Sequence, residues 1–356
     1  MALIAVATGA CSAETGEPEQ SVHSPVVYGH DSRVAPTALE SQAAQGVLAK
    51  STLALVPEDF TLQGSDSLTV STQPVGEVFG LCASELGVEL PAAAVCTGVA
   101  VAANVVATAA HCVADQEDCD RLVLIRGFLW DSWQPNVPAE HVFKCRRILF
   151  RRYHDCSDAD LALIEISPPM DAFAELAERS PKFGEKVIAC GASFGAPIRC
   201  DPEAIVSGAT PSAVTLAADL AIGASGGPVL DTTGRLVGVV SGGADDLSWG
   251  ATCAVEATRT DHGIEKAESA DSIRTALAVS RASTDTRDPP GNGSGVCTVP
   301  AESVPGCSVW STSSAPDWWP ELIALVAVTR FARRRSGATG VARAFSALHG
   351  TRVATC

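Results

Sequence analysis

An all-β fold is what this sequence predicts, and three observations predict it. Residues 95–101 and 105–108 are rich in valine and small residues and read as two strands of a hairpin. Pro228–Leu230, a turn over residues 231–234 and the apolar run 236–240 read as a second hairpin. Third, the chemistry-bearing residues come in the order His111, Asp160, Ser225. Ser225 lies in Gly223-Ala224-Ser225-Gly226-Gly227-Pro228, where small residues allow a hydroxyl to be presented at a tight turn. A hydroxyl is a weak nucleophile until an imidazole takes its proton and a carboxylate orients that imidazole. Thr108-Ala109-Ala110-His111-Cys112 offers the imidazole, and Asp160 opens the apolar run Asp160-Leu161-Ala162-Leu163-Ile164.

The chain order excludes a different enzyme class. Gly223 to Gly227 also satisfies G-x-S-x-G, the lipase/esterase pattern of α/β-hydrolases, whose acid and histidine must follow the serine. Asp245, Asp246 and His262 do follow Ser225, too closely to leave room for the remaining parallel strands and helices. Two rivals stand near the proposed acid. Asp158 shares a strand face with Asp160, but the apolar run begins directly after Asp160, where an orienting acid should enter the interior. His154 lies in an Arg/Asp-rich loop and reads as solvated. His23, His30, His141, His262 and His349 have polar neighbours and no metal-ligand spacing, so neither a metal nor a cofactor is expected.

These motifs together resemble those of secreted serine endopeptidases of the chymotrypsin/trypsin fold, and within it the bacterial branch containing the glutamyl endopeptidases. Residues 108–112 match the family's histidine motif, Ser225 its Gly-x-Ser-Gly-Gly-Pro motif and Asp160 its Asp-Leu-Ala-Leu motif. Residues 239–243 resemble its substrate-binding strand, and residues 26–33 the mature amino terminus of the bacterial branch. The resemblance spans about residues 26–256. It implies two packed six-stranded antiparallel β-barrels, over about residues 80–168 and 180–256, followed by a C-terminal helix. The implied activity is peptide-bond hydrolysis through an acyl-enzyme, on protein or peptide substrates, by a monomer. A catalytically silent binding module on the same scaffold is the alternative.

The resemblance also assigns roles. Cys96 and Cys112 match the disulfide that pins the histidine loop, and the amides of Gly223 and Ser225 match the oxyanion hole. Ser241 would cap the Asp160 carboxylate, and Gly243 would pair with extended substrate backbone. Asp219, six residues before Ser225, stands at the spacing of the acid that selects Arg or Lys. Two departures matter. Ala224 replaces the Asp that pairs with a newly cut amino terminus, and Val240 replaces the histidine used for glutamyl specificity.

Composition bounds the rest. Of 356 residues, 46% are hydrophobic, enough for a substantial core. A formal net charge of −16 disfavours nucleic acid, whose phosphates call for clustered Lys and Arg. Thirteen cysteines without zinc-like CxxC spacing point to an oxidising compartment, and so to a secreted, periplasmic or cell-surface protein.

In chain order, residues 1–11 resemble the end of a bacterial lipoprotein signal ending at Cys11, although the basic n-region is missing. Residues 12–25 complete a signal or pro-segment over 1–25, and the protease domain is expected over 26–282. Residues 26–80 carry broken apolar patches with no assigned strand. Leu122–Arg126, 142–150 and 161–166 are strands of the first barrel. The second begins near Pro181, with a strand over 186–191, a turn over 194–197 and two strands within 204–218. Residues 272–281 form an amphipathic helix with Ile273, Leu277 and Val279 inward. A linker over 283–316 and a disordered tail over 317–356 complete the chain. Gly306-Cys307, Trp318-Trp319, the apolar run 322–328 and Arg333-Arg334-Arg335 resemble a myxobacterial-type sorting tail, which implies membrane or surface anchoring. That apolar run is too short to span a bilayer.

Overall fold

The computed structural model describes residues 27–28 and 31–283, apart from 86, 155–158, 244–245, 257 and 260–264. The expectations for the signal or pro-segment, for Asp158 and for the linker and tail beyond Ser283 lie outside the described residues, as do His23, His30, His262 and His349.

The first barrel begins earlier than expected. A helix, α1 (Gln42–Ser51), is capped by Ser41, whose hydroxyl accepts from the Ala44 amide at 3.2 Å. It leads into β1 (Thr52–Pro57), buried along all but its last residue. Leu53-Ala54-Leu55-Val56 is apolar on both faces, so no alternation betrays it as a strand. β2 (Cys96–Ala102), β3 (Val105–Thr108), β4 (Leu122–Arg126), β5 (Val142–His154) and β6 (Ala159–Ser167) complete the cylinder. It closes in the order β5-β6-β3-β2-β1-β4. Leu53, Leu55 and Leu124 on one face of its strands, and Ile125, Leu161 and Leu163 on the other, are all fully buried.

The second unit is a curled sheet of seven strands with two edges, where a closed six-stranded barrel was expected. Its strands are β7 (Ile188–Gly191), β8 (Arg199–Asp201), β9 (Ile205–Ala209), β10 (Ala213–Ala217), β11 (Pro228–Leu230), β12 (Leu236–Gly242) and β13 (Glu265–Ser269). They run β8-β7-β11-β12-β13-β10-β9. β13 is central and lies beyond residue 256, where the barrel was expected to end. Its sequence, Glu265-Lys266-Ala267-Glu268-Ser269, has the polarity of a surface segment, yet Glu265, Glu268 and Ser269 are all buried.

Together the cylinder, the curled sheet and the following helix make a trypsin-like fold. That helix, α2 (Ala270–Ser283), buries Ile273, Ala276 and Ser280 at helical spacing, with Leu277 packed beside them. Val279 was expected on the same face, but is 41% exposed because it falls between these positions. Among the described residues four disulfides form: Cys82–Cys253, Cys96–Cys112, Cys119–Cys145 and Cys190–Cys200. They point to an extracellular or periplasmic location. No helix among the described residues is long and apolar enough to cross a membrane.

Candidate active site

The register of the first barrel brings His111 to Asp160. β3 ends at Thr108, opposite Ala162 of β6, and the chain then makes a short 3-10 turn over Ala110–Cys112. That turn folds back over the start of β6. The Asp160 carboxylate meets His111 twice: Oδ1 accepts the backbone amide at 2.9 Å, and Oδ2 faces ring Nδ1 at 2.6 Å. A carboxylate at Nδ1 keeps the proton there, which leaves Nε2 as the basic nitrogen. The Cys96–Cys112 disulfide ties the turn to β2. Cys96, Cys112 and the imidazole form a tight cluster, but the sulfurs are joined to each other and offer no thiolate to a metal.

The loop carrying Ser225 is two successive turns. The Ala224 amide donates to Ala221 O and the Gly227 amide to Ala224 O, at 2.9 and 2.8 Å. The third position of each turn is a glycine with positive φ, Gly223 at 96° and Gly226 at 82°. Other residues adopt this conformation only under strain. Space forbids them too: a Cβ on Gly226 would stand 2.0 Å from Thr97 O and 2.2 Å from Thr108 Oγ1. Ser225 is partly exposed, while its neighbours Gly223, Ala224, Gly226 and Gly227 are buried.

Both halves of the fold hold this loop. From the second sheet, Val240 O accepts the Gly226 amide at 2.6 Å, and Gly227 O accepts the Val240 amide at 2.8 Å. From the first barrel, the Thr97 amide donates to Ser225 O at 2.8 Å, and Thr97 Oγ1 donates to Gly223 O at 2.9 Å. Thr108 Oγ1 donates in turn to Thr97 O at 2.7 Å. Sequence reading gave Thr97 no role, since a threonine in a strand carries no signal of what it bonds across a cleft. Cys112 Sγ lies 3.8 Å from Ser225 O, which sets the serine against the histidine turn. Among the described residues the Ser225 hydroxyl has no hydrogen-bond partner, and neither do the amides of Gly223 and Ser225. Bonds between a nucleophile and its base are commonly long in unliganded sites and tighten on substrate.

Behind Asp160 stands a second acid that sequence reading missed. Glu268 of β13 is 2% exposed, and its Oε1 accepts the Asp160 amide at 2.8 Å. Burial and the nearby Asp160 charge push its pKa up, against the opposing pull of the Asp160 amide, Ser272 and Arg152. The folded protein therefore keeps this proton to higher pH than the unfolded chain, and stability declines as pH rises through the folded pKa. Glu268→Gln keeps an acceptor for the Asp160 amide and removes the ionisation. Its Tm should gain on the wild type progressively from about pH 4 to pH 8. Thermal melts across that range check this, and a difference independent of pH would contradict it.

The remaining predicted residues divide. Ser241 is buried, but its hydroxyl donates to Lys266 O at 3.3 Å and not to Asp160, whose oxygens are met by His111. Asp219 is 1% exposed, and its Oδ2 accepts both the amide and the hydroxyl of Ser32 at 2.7 Å. Its own amide donates to Asp201 Oδ2 at 2.8 Å. Asp219 thus belongs to the anchor of the amino-terminal segment. There the buried Arg33 guanidinium pairs with Asp31 and Glu256, each at 2.7 Å. Arg199 lies over the Trp130 ring, and burial together with Arg33 pushes it down to about 10. Gly243 lies against the carboxylate of Glu265.

Residues 96–239, which include His111, Asp160 and Ser225, match the model of the trypsin-like peptidase domain. That match supports a peptidase acting on protein substrates. No curated protein matches the sequence. Among solved structures, the active form of the Mycobacterium tuberculosis protease Rv3671c is 17% identical, with a TM-score of 0.41 over 77% of this chain and 93% of that one. Neuropsin, a serine protease expressed in the limbic system of mouse brain, is 21% identical, with a TM-score of 0.41 over 52% of this chain and 88% of that one.

Proposed function

We propose that this protein is an exported serine endopeptidase in which Ser225, His111 and Asp160 act as a catalytic triad. Ser225 Oγ attacks the scissile carbonyl carbon as its proton passes to His111 Nε2. Asp160 keeps the imidazole in the tautomer that can accept that proton and stabilises the imidazolium. The amides of Gly223 and Ser225 receive the charge that develops on the carbonyl oxygen, each worth about 3 kcal/mol. As the tetrahedral intermediate collapses, His111 returns the proton to the leaving amine. Water then attacks the acyl-enzyme by the same route and restores the serine.

The observation that carries this reading is the double hold of Asp160 on His111, at backbone and ring, beside a loop whose glycines expose one serine. A binding module would need neither the buried orienting acid nor the two unoccupied amides. The test is incubation of the purified protein with a defined peptide mixture, with new carboxyl termini read by mass spectrometry. Cleavage that disappears in Ser225→Ala is expected. Retention of peptides without cleavage would favour the silent module, and hydrolysis confined to lipid esters would favour the lipase reading.

A further inference from the structure

The peptide unit that carries His111 into its turn is held from both ends. Its N–H, the His111 amide, donates to Asp160 Oδ1 at 2.9 Å. Its C=O belongs to Ala110, and Arg151 Nε donates to that oxygen at 3.2 Å. The same N–H reaches Val113 O, one residue past the turn, at 2.9 Å. One guanidinium therefore spans the 3-10 turn Ala110–Cys112 from its first carbonyl to the one just beyond it, with His111 between.

The register of β5 on β6 explains how one side chain gets there. Arg151 stands opposite Ala162 and Tyr153 opposite Asp160, so Arg151, Tyr153 and Asp160 share one face of the sheet. The histidine turn folds over that face. The Tyr153 ring lies against the half-buried Arg151, its centroid 5.5 Å from Cζ, and this contact orients the planar fork. Ala110 and Val113 are buried, so their carbonyls depend on donors within the protein. Ala110 O also accepts the Val113 amide at 3.3 Å, a long bond, whereas Val113 O receives its donor from Arg151. A bond from a cation is stronger than one from a neutral amide. The Cys96–Cys112 disulfide ties the turn to β2, and Arg151 ties it to β5.

We propose that Arg151 is a positioning residue for His111: by holding the Ala110–His111 peptide against Asp160, it sets where Nε2 stands relative to the Ser225 hydroxyl. The proposal rests on the peptidase reading of Ser225. Without Arg151 the peptide keeps its amide bond to Asp160 and loses the restraint on its carbonyl. The imidazole then moves off the line of proton transfer, where a displacement of about 1 Å costs about a hundredfold in rate.

The test is steady-state kinetics of Arg151→Met on a peptide anilide that wild type cleaves, with kcat expressed per active site titrated by a fluorophosphonate. That kcat should fall about a hundredfold at unchanged KM. A role confined to folding would lower the number of titratable sites and leave kcat per site intact, which overturns the proposal. Arg151→Lys keeps the charge but lacks the Nε–H and the planar fork, and it should lose about tenfold per site. It decides alone if the methionine variant does not fold, and wild-type kcat per site in it overturns the proposal. A second readout needs no catalysis: proton NMR of the hydrogen between His111 Nδ1 and Asp160, observed in Ser225→Ala with and without Arg151→Lys. Loss or displacement of that far-downfield resonance supports the assignment, even if wild type cleaves no anilide and the peptidase reading fails. An unmoved resonance overturns the assignment while leaving the peptidase reading intact.

Discussion

Asp160→Asn is expected to lower kcat about ten-thousandfold while the protein stays folded. Asp160 meets His111 with two oxygens, one on the backbone amide and one on Nδ1. Asparagine keeps one oxygen for the backbone amide, and its NH2 group then faces the ring. Two donors cannot share a hydrogen bond, so Nδ1 must become the acceptor and the ring proton moves to Nε2. The nitrogen that should take the Ser225 proton is then already protonated. Steady-state kinetics beside a thermal melt check this: an unchanged Tm with a collapsed kcat is predicted, and a kcat within tenfold of wild type would contradict it.

Arg33→Met is expected to cost about 3–5 kcal/mol, the range for removing one partner of a buried ion pair. The Arg33 side chain is 2% exposed and serves two acids, Asp31 and Glu256. Methionine fills much of the volume but leaves both carboxylates, among the described residues, with Arg199 as the remaining cation, 3.6 Å from Asp31. The pH dependence has a definite sign. Burial alone would raise the Asp31 pKa, but Arg33 and Arg199 hold it below the usual range. Its contribution is therefore present above the unfolded pKa and is lost as pH falls through the folded value. The deficit of Arg33→Met should accordingly be largest near neutrality and shrink in acid. Urea unfolding at pH 7 and at about pH 2 to 3, below the ordinary Asp range, measures it, and a loss under 1 kcal/mol at pH 7 would show that Arg33 carries little of the anchor.

What could be read in the sequence was local. Gly223 and Gly226 are visible because a turn with positive φ admits little else, and the apolar run after Asp160 shows where that chain enters the barrel. The two hairpins announce themselves through valines and turn residues. The hidden parts depend on partners remote in the chain. Asp219 sits at the spacing of a pocket acid, but Ser32, 187 residues away, takes its oxygen. Glu268 reads as surface until a central strand carries it to the Asp160 amide, 108 residues away. β1 escaped for the opposite reason: buried on both faces, it lacks the alternation that marks a half-exposed strand. Charge in β13 and uniform apolarity in β1 thus mislead in the same way, because burial is decided by the sheet and not by the segment.

The most direct measurement is exposure of the folded protein to a fluorophosphonate, followed by intact-mass analysis and peptide mapping. A single adduct on Ser225 is predicted, absent from Ser225→Ala and slowed by orders of magnitude in Asp160→Asn. No adduct on Ser225 in the folded wild type, or equal labelling of Ser225→Ala, would contradict the assignment of Ser225 as an activated nucleophile.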